Sequence, residues 1–406
     1  MKDKVQLLSK GDMEVFVGNV LALSFAKTVL LQFLHALYGA ENSTISAVVF
    51  GFLFVYLYIG LVKYNLLKGR GLAVWFACLV FFLVNYVFTN PNLQQYYSSI
   101  DMVLTYIYYL PIAIILIPQI RDVKKVISRI SLLRYPVLLI ASYMVFAMSF
   151  ASAEQETYMS FSYAIMPFVI LCFYEARFNN KFIDYITYIL GVVLIVFYGA
   201  RTPLTSCLLA AVLIYVLYVY YHKKKSGKIF TYFLLGVLAV VFIYAGSSLI
   251  GRLGGIGESI GSYSLEKLND DSFMESSTRV FIYDSAIKLM ENNNGMPLGF
   301  FADRYYLDVI YVHNIFLELL INFGVIVGGF LSLWIVYLIV RSFIVSKDEY
   351  IRLFLIFCFL SIFVRFILSG SYLIEGMSFV YFSVLLKYSH KHVVRSNIAH
   401  IQKRPA

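Results

Sequence analysis

Three residues in this chain have the types and positions needed to grip a phosphorylated substrate and to move a proton. Arg279 falls in the first turn of a predicted helix that begins after Ser276 or Ser277 and stops at Asn292-Asn293-Asn294-Gly295. Serine is a good N-cap and glycine suits a left-handed C-cap. Free backbone N–H groups at such an N-terminus attract an anion. A cation there is unfavourable by up to about 1 kcal/mol, a conflict that an anionic ligand removes and that a plain ion pair with Glu275 or Asp284 would also remove. Arg201 sits in a tight turn, Gly199-Ala200-Arg201-Thr202-Pro203, between two apolar runs. Its guanidinium could hold phosphate oxygens bidentately or simply snorkel to a lipid headgroup. His313 stands at the start of another apolar run. A neutral imidazole there can orient or deprotonate a hydroxyl; the plainer alternative is a structural histidine at an interface.

A second tier surrounds these three. Asn314 can donate and accept, and Glu318, in the opening turns of the same run, could pair with one of the arginines. Arg365 lies inside an apolar run just before Ser369-Gly370-Ser371. A charge in that setting costs about 2.5–3.5 kcal/mol on insertion scales and faces a cavity or a partner, for which Glu375 is available. Arg304, with Asp303, is a further candidate in the stretch leading to His313. Lys27 has no evident partner and receives no role. Asp270-Asp271 lie in a Ser- and Asn-rich stretch and read as solvated, so neither a metal nor a cofactor is expected. His390, His392 and His400 read as surface residues. Cys78, Cys172, Cys207 and Cys358 fall in four different apolar runs and read as small buried hydrophobes, not as disulfides or metal ligands. The glycines at 251, 254, 255, 257 and 261 follow an apolar run and not a strand, which argues against a nucleotide-binding loop.

What must position these residues is a membrane. Of 406 residues, 61% are hydrophobic and 14% charged, with a mean hydropathy of +0.78, whereas soluble domains carry about 25% charged residues. A net charge of +10 would suggest nucleic acid in a soluble chain, but its distribution reads differently. At about 20 apolar residues per crossing, about twelve spans are predicted, centred near 25, 54, 80, 111, 143, 168, 191, 212, 238, 326, 360 and 379. The first, from about Met13 to Leu37, is too long for a signal-peptide core. With the N-terminus cytoplasmic, 25 of the 33 basic residues fall in alternate segments on one side, Lys223-Lys224-Lys225 among them. The short segments on the other side carry Glu41, Asp101, Glu154 and Glu156. That is the positive-inside pattern. The expected fold class is therefore all-α and polytopic, a single membrane domain over residues 1–406. Both termini are cytoplasmic, residues 388–406 form a basic tail, and residues 247–312 form one large extracytoplasmic loop. Arg201, Arg279 and His313 then share one side of the membrane, with the loop as a lid over a basic pocket.

The order of these motifs resembles the O-antigen polymerase and ligase superfamily of bacterial polytopic membrane glycosyltransferases, a GT-C-like group. The residues that carry the resemblance are Ser277-Thr278-Arg279-Val280-Phe281-Ile282-Tyr283, then Pro297-Leu298-Gly299, then His313-Asn314-Ile315-Phe316-Leu317-Glu318 with Gly324 after it. Arg201 also matches a family position. The resemblance covers about residues 198–330; the first 190 residues match only in general character. It implies an enzyme at the outer face of the bacterial cytoplasmic (inner) membrane, acting on glycans linked to undecaprenyl diphosphate without nucleotide sugar or metal. By the resemblance Arg201 and Arg279 bind the diphosphate and His313 orients or deprotonates the acceptor hydroxyl. Arg304, Asn314, Arg365, Glu318 and Tyr283 are candidate substrate-binding residues. The partners implied are lipid-linked glycan donor and acceptor, membrane lipid, a chain-length regulator and a flippase, and no nucleic acid.

Polymerisation of repeat units is the expected activity, with transfer to a separate acceptor, as in the ligases, the alternative. Two departures bear on that choice. The Gly, Thr or Tyr that ligases show three positions after the glycine is here Val327, with Gly328 one step late, and neither Arg201 nor Arg279 shows the Arg-x10-Gly spacing of some polymerases. A different class, a flippase or transporter, would concentrate polar or broken helices near the bilayer midplane, whereas the unusual residues here lie near the outer face. A structural membrane scaffold would leave Arg279 and His313 without a role.

Overall fold

The computed structural model describes residues 2–38, 43–98, 100–148, 155–198, 201–224, 278–309 and 311–390. Every regular element among the described residues is helical. Nine of these helices are long and apolar enough to cross a membrane. They account for the segments expected near 25, 54, 80, 111, 143, 168, 212, 326 and 360. The segment near 191 is a shorter apolar helix, Phe182–Phe197, and the one near 379 is the helix Met377–Ser389. The segment near 238 lies outside the described residues, as do Ser276 and Ser277, the glycines at 251–261, Asp270-Asp271, His392 and His400. Large apolar side chains point outward: Ile326, Phe330 and Leu333 are 87%, 67% and 73% exposed. Such a surface is tolerable only against lipid. The chain is a multi-pass membrane protein.

The described chain forms two compact units. One comprises Leu21–Gly51 and Ile127–Ser276 and is tied together by a buried polar network. Arg134 Nε donates to Asp184 Oδ1 at 2.8 Å and its Nη2 to Oδ2 at 3.2 Å. Tyr135 donates to the same carboxylate at 2.6 Å, and Arg134 Nη1 donates to the Ser131 carbonyl at 2.7 Å. Ser131 and Asn179 in turn donate to the two oxygens of Glu175. Such charges are tolerable in an apolar interior only because they are partnered bidentately and hydrogen-bonded on their remaining sides.

The other unit comprises Met1–Val20, Phe52–Val126 and Ser277–Ala406. In it the helical segment Met102–Gln119 lies against Met377–Ser389. Pro111 lacks an N–H, and the helix passes it through π turns at Thr105–Tyr109 and Ile112–Leu116, with the Leu110 N–H reaching back to the Thr105 carbonyl. At the end of that segment Lys387 Nζ donates to the carbonyls of Ile117 at 2.9 Å and Pro118 at 3.2 Å, and to that of Ile120. These carbonyls lie at a helix C-terminus, where intrahelical donors run out; that of Ile117 also accepts from the Ile120 N–H at 3.2 Å.

The element that organises this unit is the helix Ile315–Val345, which is broken at Gly324. Gly324 has φ 76° and ψ 167°, a region essentially confined to glycine. The break frees backbone groups, and the Pro297-Leu298-Gly299 stretch takes them up. Leu298 N–H donates to the Ile321 carbonyl at 3.0 Å and Gly299 N–H to the Asn322 carbonyl at 3.2 Å, while Val325 N–H donates to the Gly295 carbonyl at 2.9 Å. A Cβ on Gly324 would lie 2.8 Å from the Gly295 carbonyl oxygen and 2.9 Å from Pro297. A Cβ on Gly328 would collide with the Leu319 carbonyl. In a straight helix these two residues are far apart, at 1.5 Å of rise per residue, so the contact shows that the two halves fold back on each other.

Candidate functional site

The loop is held to the broken helix by a small apolar core. Ile282 and Ala286 of the loop helix (Thr278–Asn292) pack with Ala302, Val312 and Ile321, and Tyr283, Leu298 and Leu317 close around them. Burying each large side chain contributes about 1.5–3 kcal/mol, enough to fix the loop helix against the start of the span. The helix ends as expected: Asn294 (φ 53°) and Gly295 (φ 68°) are left-handed, and Gly295 N–H closes on the Met290 carbonyl at 2.8 Å.

This packing brings Arg279 and His313 into electrostatic contact. Burial and, next, the charge of Arg279 push the His313 imidazole below its ordinary pKa, so it is neutral at physiological pH. Its Nδ1 is buried without a hydrogen-bond partner among the described residues, and its ring lies 4.4 Å from that of Tyr311. The Tyr283 hydroxyl points at the His313 carbonyl, at a long 3.5 Å. His313 itself is left-handed, φ 59°, an uncommon state for a residue with a side chain. Among the described residues no carboxylate comes within ion-pair distance of Arg279, Asp284 included; Glu275 lies outside them. Asn314 is structural. Its Oδ1 caps the broken helix, accepting from the N–H groups of Phe316 at 2.9 Å and Leu317 at 3.3 Å.

A buried polar cluster joins the stretch before His313 to the helix that follows it. Arg304 Nη2 donates to Ser371 Oγ at 3.2 Å, Ser371 Oγ donates to Glu318 Oε1, and the Tyr372 N–H donates to Glu318 Oε2 at 3.2 Å. The expected link between Glu318 and an arginine is thus made through a serine. Arg304 also lies over the Phe301 ring at 4.6 Å, and Phe301 packs edge-on against Tyr97 at 4.9 Å. Burial pushes the Arg304 guanidinium down, against the pull of Asp303 and Glu318. Asn322 donates to the Tyr372 hydroxyl at 2.9 Å. Ser371, Tyr372 and Asn322 were not among the residues singled out in the sequence. Asn322 alone carried a signal, as an amide inside an apolar run. Arg365 pairs with Glu375 at 3.0 Å, as expected, and both remain a quarter to a third exposed.

Arg201 is the first residue of the helix Arg201–His222, which belongs to the other unit; its side chain lies outside what is described. Residues 186–331 match a family model described as O-antigen ligase. Comparison with curated proteins and with solved structures returns no match. The matched stretch contains Arg279, Arg304, His313, Glu318 and Gly324, while Ser371 and Tyr372 lie outside it.

Proposed function

Taking residues 186–331 as a domain of the O-antigen polymerase and ligase superfamily, we propose that the protein is a glycosyltransferase that joins lipid-linked oligosaccharide repeat units. The reaction runs at the outer face of the bacterial cytoplasmic membrane, on a chain of twelve spans with both termini inside. The acceptor hydroxyl oxygen attacks the anomeric carbon of the donor sugar, and the bond from that carbon to the undecaprenyl diphosphate breaks. The electron pair stays on the diphosphate, and the acceptor proton leaves to the imidazole of His313. Arg279 holds the leaving diphosphate, and the resemblance gives Arg201 the same role. Arg304, Glu318 and Asn314 support this site from behind, while Tyr283 and Arg365 line the approach of the sugars. Elongation of the lipid-linked glycan is preferred here, and transfer to a separate acceptor is the sibling reading within the same family.

The observation that carries this reading is the convergence of Arg279 and a neutral His313 on the start of the broken helix. A guanidinium suits a diphosphate, and an unprotonated imidazole suits a hydroxyl. The test is Arg279→Lys, which keeps the charge and loses the bidentate fork. Removing one oriented donor from a developing anion costs roughly 10²- to 10³-fold in kcat. A loss of that size is expected with purified protein and lipid-linked repeat units; unchanged kcat would remove Arg279 from the diphosphate.

A further inference from the structure

Arg304 stands between two carboxylates in a place that water does not reach. Asp303 is fully buried, Glu318 is 1% exposed and Arg304 8%. Neither oxygen of Asp303 accepts a hydrogen bond within good geometry from any described residue. The backbone N–H groups of Val312, Arg304 and Asp303 itself are near enough to act on it electrostatically and favour its ionised form, though burial outweighs them. From the surrounding elements the phenols of Tyr96, Tyr311 and Tyr372 face the cluster. An arginine does not give up its proton. With both acids ionised the cluster therefore carries one uncompensated negative charge in an apolar interior, which burial opposes strongly. Two carboxyl groups in one such site retain a proton between them. A proton on Asp303 would remove the charge that its unpartnered oxygens otherwise carry in this interior. Burial pushes the Asp303 carboxyl up, against the opposing pull of Arg304.

The cluster's place in the chain connects it to the site. Asp303 and Arg304 precede His313, Glu318 follows it, and Ser371 joins the two sides. The connection between the helices Ala302–Leu307 and Ile315–Val345 is thus tied at its base, and within it Asp308 (φ 52°) and His313 (φ 59°) hold left-handed backbone. Such conformations persist only where the surroundings impose them. We propose that Asp303, Arg304, Glu318 and Ser371 form a proton-holding staple: the two acids share one proton, and the neutral cluster fixes the position from which His313 meets the acceptor hydroxyl. Asp303 and Glu318 are positioning residues that act through His313. This role rests on the transferase reading, but the shared proton does not.

Infrared difference spectra of the full-length protein in lipid nanodiscs, without substrate, test the shared proton. Asp303→Asn and Glu318→Gln each leave one carboxylate against one guanidinium. Each variant is therefore expected to lose one protonated carboxyl band at neutral pH and no ionised carboxylate band. Loss of a carboxylate band in either spectrum would overturn the staple. The positioning role is read from activity on lipid-linked repeat units extracted from the source membranes. In the native protein kcat is expected to fall about tenfold per pH unit on the alkaline side, as the pair gives up its proton. That limb should be missing in both variants, and an unchanged limb would overturn the positioning role. Absence of transfer by every protein, with the infrared signature present, would count against the transferase reading and leave the shared proton standing.

Discussion

At the scale of single residues, His313 is kept in two unfavourable conditions at once. It has left-handed backbone, and its imidazole is partly buried close to the charge of Arg279. Burial and that charge both favour the neutral ring, which can accept a proton from a hydroxyl. Because the folded pKa is depressed, the unfolded chain binds a proton that the native protein refuses in the window below the ordinary histidine pKa. Stability linked to His313 is present above that window and is lost as pH falls through it. The acid limb of kcat/KM should lie below the ordinary histidine value and should disappear in His313→Gln, which is expected to lose roughly 10²- to 10⁴-fold in rate. An acid limb that stays in place in His313→Gln would assign the proton transfer elsewhere. His313 and Arg279 could be picked out from the sequence because their types contradicted their surroundings. Asp303 stood out only as the neighbour of Arg304, and Ser371 did not stand out. An aspartate in a polar loop and a serine in a Ser-Gly-Ser run look ordinary until the fold buries them around Arg304.

At the scale of elements, the broken helix explains why Pro297-Leu298-Gly299 and Gly324 accompany each other. Leu298 and Gly299 supply N–H donors to the carbonyls of Ile321 and Asn322 that the break releases, and Gly324 leaves room for Pro297. In transporters the freed backbone groups of such breaks serve as ion or substrate ligands; here the loop's own backbone occupies them, which favours a docking role. Gly324→Ala places a side chain in a glycine-only conformation and against backbone at 2.8 Å. The expected destabilisation is about 2–5 kcal/mol, from strain plus overpacking, measured as a lower midpoint in a thermal unfolding scan of the purified protein. A midpoint unchanged within error would mean the break is not constrained as described. The loop helix and its Asn-Gly end were legible in the sequence, because capping is a local affair of a few residues. The union of a Pro-Leu-Gly loop with a helix interior more than twenty residues later was not, since its hydrogen bonds are made by backbone, which the side-chain pattern does not encode.

At the scale of the whole molecule, hydropathy carried the most information. Apolar runs of crossing length predicted helices where nine suitable ones occur among the described residues, because in lipid each backbone group must find its partner within its own helix. The polar ties inside each unit were not legible. Arg134 and Lys387 are two of the 25 basic residues counted on the cytoplasmic side, and the charge pattern does not show that one lies in a bidentate pair with Asp184 and the other closes a helix end. Asp184→Ala would leave the Arg134 guanidinium buried without its counter-ion. Loss of one partner of a buried pair costs about 3–5 kcal/mol, so this variant should unfold at markedly lower temperature; equal stability would show that the network is not structural. Glycan transfer from a lipid diphosphate would be a property of the intact protein, and product analysis tests it most directly. Purified full-length protein is given lipid-linked repeat units alone, with no nucleotide sugar, and the lipids and glycans are separated by size. The expected result is a ladder of longer lipid-linked glycans with one undecaprenyl diphosphate released for each bond formed. Transfer only after a separate acceptor is added would shift the reading to a ligase. No glycosidic bond under either condition, with intact substrate moved across the bilayer, would contradict the account.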